Sequence, residues 1–262
     1  MNAREQYLEA LGIDVWRARR APPRRAVAPE SPAPSAAVAP NMVRAPNLTP
    51  APNLAPAPTA KGAVSTSGEV DPAGAPDEAT WEALRAEVSV CTRCELCRTR
   101  TQTVFGVGNR RAELLVIGEA PGADEDRQGE PFVGRAGQLL NSMLRAMGSP
   151  RASVYIANVL KCRPPGNRDP SPAEVASCLP YLQRQVDLIR PRLILALGRI
   201  AAQNLLATDA PIGRLRGQVH RFGATPLIVT YHPAYLLRSP SEKRKAWDDL
   251  KFVNSELARA RG

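Results

Sequence analysis

The chain has 262 residues and a net charge of +10, a length that suits one or two domains. No stretch reaches the roughly 18 apolar residues of a membrane span, and Met1 to Arg20 carries neither a hydrophobic signal core nor a cleavage site, which argues against export. Residues 81–262 hold 27 Lys and Arg against 17 Asp and Glu; that excess favours a polyanionic partner such as nucleic acid, although a merely soluble basic surface would look the same.

In chain order, residues 1–20 read as a short amphipathic helix, with Tyr7, Leu8, Leu11, Ile13, Val15 and Trp16 set against a basic end. Residues 21–76 are predicted to form a disordered Pro/Ala-rich linker. Thirteen of the 26 prolines lie between residues 21 and 80, where there is no cysteine and no aromatic residue. Ala45-Pro46-Asn47-Leu48-Thr49-Pro50 is echoed directly by Ala51-Pro52-Asn53-Leu54-Ala55-Pro56. Such a segment cannot bury enough apolar surface to offset its ordering entropy, and reads as a semi-extended tether. The folded domain is expected over 77–262, long enough for one sizeable core.

Asp77-Glu78-Ala79-Thr80 opens a helix with Trp81, Leu84 and Val88 on its apolar face. Strands and helices then alternate. Leu114 to Ile117 is a buried strand, Ala136 to Met147 a helix, and Val154 to Ala157 a second strand. Ser171-Pro172-Ala173-Glu174 is a capping box that opens a helix through Val175, Leu179, Leu182 and Val186. Leu193 to Leu197 is a third strand, Gly198 to Leu206 a helix, Leu227 to Val229 a fourth strand, and Lys243 onward a closing helix. This alternation predicts an α/β fold, a three-layer α/β/α sandwich with a central four-stranded parallel sheet.

In such a sheet a ligand lies beyond the carboxyl ends of the strands. Those ends carry Gly118-Glu119-Ala120-Pro121-Gly122, Asn158, Gly198-Arg199 and Tyr231-His232-Pro233. One rim thus receives a glycine-rich turn, an amide with both donor and acceptor, a basic residue and a histidine able to donate to a developing oxyanion. Phe132, in the Gly-rich loop after the first strand, suits a stacking platform for a base. Alone, the turn, Asn158 and His232 read better as an ordinary turn, a turn former and a packed histidine, and Phe132 as readily as a core residue; their convergence is the stronger signal.

The cysteines form a separate pattern. Cys91, Cys94 and Cys97 make a C-x2-C-x2-C run, and Cys162 and Cys178 follow the second strand. A cytoplasmic location is expected, and there thiols stay reduced, which points to metal rather than disulfide duty. Four thiolates suit zinc or a [4Fe–4S] cluster alike; spacing neither separates them nor says whether Cys97 replaces a member.

Taken together, Cys91-x2-Cys94, Arg100-Thr101-Gln102, Val104-Phe105-Gly106, the Gly118–Gly122 turn, Pro131-Phe132-Val133-Gly134, Asn158-Val159-Leu160-Lys161-Cys162-Arg163-Pro164-Pro165 and His232-Pro233-Ala234-Tyr235-Leu236-Leu237 resemble the iron–sulfur (family-4) uracil-DNA glycosylases. The likeness runs from about Val90 to the last helix and leaves out the N-terminal helix and linker. It implies excision of uracil from DNA at the start of base-excision repair, with uracil-containing DNA as partner and no membrane. A monomer is expected. A structural [4Fe–4S] cluster would sit on Cys91, Cys94, Cys162 and Cys178, with Cys97 spare.

The resemblance also implies a pocket. Phe132 would stack on a flipped uracil, Asn158 would bond its pyrimidine edge, Gly118, Glu119 and Ala120 would meet an oxygen through backbone groups, and His232 would face O2, where charge collects as uracil leaves. Ala120 stands where other uracil glycosylases often carry a water-activating Asp or Asn. Either Glu119 or Glu125 then does that work, or the bond breaks largely dissociatively; a wall against thymine's methyl is expected near Glu125. Arg163, Arg168, Arg199, Arg214, Arg216, Arg238, Lys243, Arg244 and Lys245 are candidate DNA contacts, and Leu236 or Leu237 a candidate wedge. The rival reading is a non-catalytic iron–sulfur module that binds nucleic acid or senses redox state on the same fold. A covalent uracil trap fits less well, because the chain lacks a basic-histidine loop insert. The N-terminal helix and its tether are expected to reach another repair or replication protein.

Overall fold

The computed structural model describes residues 78–261; the predicted N-terminal helix (1–20) and linker (21–76) lie outside the described residues. The first helix, α1 (Glu78–Ser89), leads through a short 3-10 turn to β1 (Val107–Gly108) and β2 (Leu114–Gly118). Then come α2 (Ala123–Gln128), α3 (Arg135–Ala146), β3 (Tyr155–Asn158), α4 (Pro172–Ile189), β4 (Leu193–Leu197), α5 (Arg199–Leu206) and α6 (Ile212–Leu215). β5 (His220–Phe222), β6 (Thr225–Thr230), α7 (Pro233–Arg238) and α8 (Lys243–Arg261) complete the described residues.

The sheet has six strands in the order β1-β3-β2-β4-β6-β5. The four expected strands form its parallel centre, and β1 and β5 add antiparallel edges. The expectation of a four-stranded sheet is corrected on this point. Two residues in β1 and three in β5 are too few to display the alternation that reveals a strand.

The centre is buried on both faces, so its strands read as unbroken apolar runs. Leu115 and Ile117 pack with Trp81, Leu84, Leu182 and Val186 on the side of α1 and α4. Leu114 and Val116 face the opposite layer, with Leu140 and Leu144 of α3 and Leu250, Val253 and Leu257 of α8. Each such side chain contributes roughly 1.5–3 kcal/mol on burial. Slipping one residue would exchange the two layers' side chains, so the register that brings Gly118 level with Asn158 is held by packing.

The predicted capping box forms at α4. Ser171 Oγ accepts from the Glu174 N–H at 3.3 Å, and Glu174 Oε2 accepts from the Ser171 N–H at 2.8 Å. Arg168 adds two bonds to the same carboxylate, at 2.6 and 2.9 Å. This ties the loop after β3 to the start of α4, close to the strand ends where the site lies.

Candidate active site

An open cleft of about 730 Å³ lies beyond the carboxyl ends of the parallel strands. Glu119, Ala120, Glu125, Phe132, Asn158, Arg199, His232 and Arg238 all line it. Residues from four separate strand ends and their loops therefore do meet on one rim. The Asn158 and His232 side chains share it, and the Phe132 and His232 rings stand 5.7 Å apart.

Asn158 is 2% exposed, and its Oδ1 is a buried acceptor with no donor among the described residues. An unmet buried acceptor costs about 1–3 kcal/mol, which makes it a mark of a site waiting for a ligand. Gly118 is packed directly beneath. A Cβ there would lie 2.4 Å from Asn158 Oδ1 and 2.6 Å from Phe132 Cζ, so any larger residue would push amide and ring out of place. Glycine is required here by close approach rather than by a turn.

Phe132 sits in left-handed backbone, φ +55°, a conformation that costs a non-glycine residue about 1–2 kcal/mol. Two side chains hold it there. Glu125 Oε1 accepts from the N–H of Val133 at 2.9 Å and of Gly134 at 3.1 Å, while its Oε2 accepts from Gly122 N–H at 3.1 Å. Arg151 grips the other side, donating to Pro131 O at 2.8 Å and to Phe132 O at 3.4 Å. Glu125 thus braces the two ligand-facing loops together. Sequence reasoning missed Arg151 altogether; it lies between α3 and β3, outside every strand end and every motif.

His232 is the N-cap of α7, and its Nδ1 accepts from the Ala234 N–H at 3.1 Å. A nitrogen that accepts carries no proton, so in the neutral ring the proton is on Nε2. Burial holds the imidazole well below its ordinary range, at about 4, with Arg238 adding to the depression and Glu125 opposing it. The ring is therefore a neutral donor at physiological pH. Gly198, with φ +91°, lets the chain pass close beneath: a Cβ there would lie 2.8 Å from His232 Cβ. His220 is remote from this chemistry, bonded through Nε2 to Leu215 O at 2.7 Å on the edge strand β5.

Glu119 behaves unlike Glu125. No hydrogen bond reaches its carboxylate among the described residues, and burial pushes its pKa up to about 7, with Asp169 adding to the rise and Arg199 opposing it. Such a group is suited to take up and release a proton near neutral pH.

The five cysteines are all free thiols, and all five line one small cavity, together with Arg93, Arg100, Lys161 and Tyr181. Burial raises Cys94 and Cys162 and pushes Cys178 up to about 11. Donors nevertheless point at the sulfurs: Arg100 Nη1 lies 3.1 Å from Cys162 Sγ, and the Lys161 N–H lies 3.2 Å from Cys178 Sγ. N–H groups aimed at buried sulfur are what metal-held thiolates need around them. Among the described residues no three His, Cys, Asp or Glu gather round one point as ligands of a single ion.

The basic residues expected to meet DNA divide. Arg168 is engaged by Glu174, and Arg216 is held by Asp249 at 2.7 and 2.9 Å. Arg199 pairs with Asp169 at 2.9 Å but remains exposed on the cleft. Arg214, Arg238 and Lys243 are exposed. Leu237 is 37% exposed, whereas Leu236 is 1% exposed and belongs to the core.

This architecture, an α/β/α fold whose cleft gathers an amide, an aromatic ring and a histidine at the strand ends, agrees with the comparisons to known proteins. Residues 105–251 match the family model of the uracil DNA glycosylase superfamily. The type-4 uracil-DNA glycosylase of Archaeoglobus fulgidus is 49% identical over 175 residues, covering 64% of this chain and 88% of that protein. Those of Sulfurisphaera tokodaii and Thermotoga maritima are 41% and 43% identical, over 84% and 95% of their lengths and 68% of this chain in each case. The chain belongs to the uracil-DNA glycosylase superfamily and, within it, to the type-4 uracil-DNA glycosylases.

Proposed function

We propose that the chain flips uracil out of DNA and hydrolyses its N-glycosidic bond, leaving an abasic site for base-excision repair. The observation that carries this reading is the buried, unmet Oδ1 of Asn158, facing the same slot as Phe132 and His232. Uracil N3–H supplies the missing donor, and the Asn158 amide N–H donates to O4. Cytosine presents an acceptor at N3 and donors at N4, so it would meet two mismatches. An extruded base stacks on Phe132, and His232 Nε2–H donates to O2, where negative charge grows as the bond to C1′ breaks. Glu119, rather than the fully engaged Glu125, takes the proton of the water that attacks C1′. The uracil anion leaves with the bonding electron pair and is protonated afterwards.

Cys91, Cys94, Cys162 and Cys178 would hold a [4Fe–4S] cluster, which ties the segment after α1 to the loop after β3. Their sulfurs share one cavity and receive N–H donors from Arg100 and the Lys161 backbone, as cluster-held thiolates require. Anaerobic purification, iron and sulfide analysis and a uracil-release assay on a labelled oligonucleotide test both statements; a protein without iron, or one that releases no uracil, would refute the corresponding one.

If Glu119 is the base, its ionised form is the active one. Activity should then rise with pH and level off above about pH 7, the value to which burial raises this carboxyl. Glu119→Gln should remove that limb from the kcat profile and lower the plateau by roughly 10²-fold. A limb that survives the substitution belongs to another group.

Arg199, Arg214, Arg238 and Lys243 are proposed to bind the DNA backbone, with Leu237 filling the gap left by the base. Neutralising Arg238 and Lys243 together should weaken DNA binding and make the slope of log K against log salt shallower by roughly 0.9 for each phosphate that no longer meets a cation. An unchanged slope would place the DNA elsewhere.

The segment 1–76 is proposed to tether the glycosylase domain to another repair or replication protein. Removing residues 1–75 should leave uracil release from oligonucleotides intact, and a collapse of activity would show that the segment serves the site itself. A cytoplasmic monomer is proposed; cysteines gathered round one cavity rather than paired in disulfides suit a reducing compartment.

A further inference from the structure

Lys161 is 1% exposed and meets no carboxylate among the described residues. Its Nζ donates to the Asn158 backbone carbonyl at 2.8 Å and to Gln185 Oε1 at 2.6 Å. Gln185, itself 0% exposed, is anchored through its Nε2 to Phe105 O at 3.0 Å. The Lys161 backbone is held as well: its N–H reaches Cys178 Sγ at 3.2 Å, and its carbonyl accepts from Val104 N–H at 2.8 Å. Burying an ammonium without a carboxylate partner is costly, and a methionine would fill the same space without that cost. Cys162 and Cys178 line the same small cavity as Lys161; as the thiolates of a cluster they would supply the negative charge that balances the ammonium.

What the ammonium holds is the peptide of Asn158. The chain just beyond is pinned to β2, by Val159 N–H to Gly118 O at 2.9 Å and Leu160 N–H to Glu119 O at 3.0 Å. No donor among the described residues fixes Oδ1 of the Asn158 side chain, so the direction of that amide depends on the plane of its own backbone and on packing against Phe132. Asn158, Lys161 and Cys162 lie within five residues, so one short segment spans the distance from pyrimidine edge to cysteine centre.

We propose that Lys161 is a positioning residue that couples the two: its buried ammonium, balanced by the cysteine sulfurs, locks the Asn158 peptide and so aims the amide at the pyrimidine. The proposal rests on the glycosylase and cluster readings above. Its test is Lys161→Met in the full chain, purified anaerobically beside the wild type. Iron and sulfide per chain, inhibition by free uracil, kcat for uracil release and affinity for abasic product DNA are measured. The expected result is wild-type iron and sulfide, uracil inhibition weakened about 10-fold or more, kcat lowered by a similar factor, and abasic-DNA affinity within about twofold of wild type.

Uracil inhibition and kcat within about twofold of wild type would overturn the proposal. Loss of iron in step with loss of activity would overturn it too, because the lysine would then serve the cluster and not the amide. Absence of iron or of uracil release from the wild type sinks the underlying readings, and is seen before any variant is compared. Should Lys161→Met fail to fold, Gln185→Met decides: it keeps the ammonium but removes its second acceptor. Weaker uracil inhibition at unchanged iron content supports the proposal, and unchanged inhibition refutes it.

Discussion

Asn158→Ala is expected to lower kcat/KM for uracil release by at least about 10³-fold without lowering the melting temperature. The two halves of this prediction have one cause. In the free protein Oδ1 is buried and unmet, a defect of about 1–3 kcal/mol that truncation removes. The side chain lines an open cleft, so its loss leaves no sealed cavity to penalise the fold. On the proposed reading, the same atom would make one of the two bonds that read the pyrimidine edge once uracil is bound. Affinity for abasic DNA should be little changed, since no base occupies the slot there. A variant that loses stability together with activity would mark Asn158 as a structural residue and remove the observation on which the reading rests.

His232→Ala should lower kcat by on the order of 10²–10³ with KM for the DNA little altered, as for loss of one donor to a developing anion. The pH dependence separates a neutral donor from a cationic one. Burial holds this imidazole at about 4, so it is uncharged throughout the neutral range. It gains a proton only as pH falls through that value, and contributes no limb near the ordinary histidine range of about 6.5. His232→Gln retains a donor without a titrating ring and should recover part of the loss. If wild-type activity instead fell with rising pH through about 6.5, and the variant lacked that fall, the active form would be imidazolium, and the tautomer inferred from the Ala234 bond would have no bearing on the reaction.

Both predictions concern residues at strand ends that the sequence marks plainly. Asn158 follows an apolar run, His232 precedes a proline at the start of a helix, and parallel-sheet geometry brings such ends to one edge. The positions that brace the loops and strand ends around them carry no such mark. Arg151 lies outside every motif, and Lys161 reads in the chain as one more basic residue before Cys162. Glu125 illustrates the same division from the other side. An acid in a loop beside a pocket looks catalytic in sequence, but here both oxygens accept from three backbone N–H groups, whereas no hydrogen bond reaches the Glu119 carboxylate among the described residues.

The amino-acid sequence by itself determined the alternation of strands and helices, the α4 capping box, the thiol set and the residues at the strand ends, because each is written in spacing along a few neighbouring residues. Only the tertiary structure decided the two short edge strands, which carboxylate is engaged and which free, which arginines are spent on ion pairs, and where the Lys161 ammonium reaches. Those outcomes depend on hydrogen-bond partners far apart in the chain, as Gln185 is 80 positions from Phe105, and a bond of that kind leaves no periodic trace in either segment that makes it.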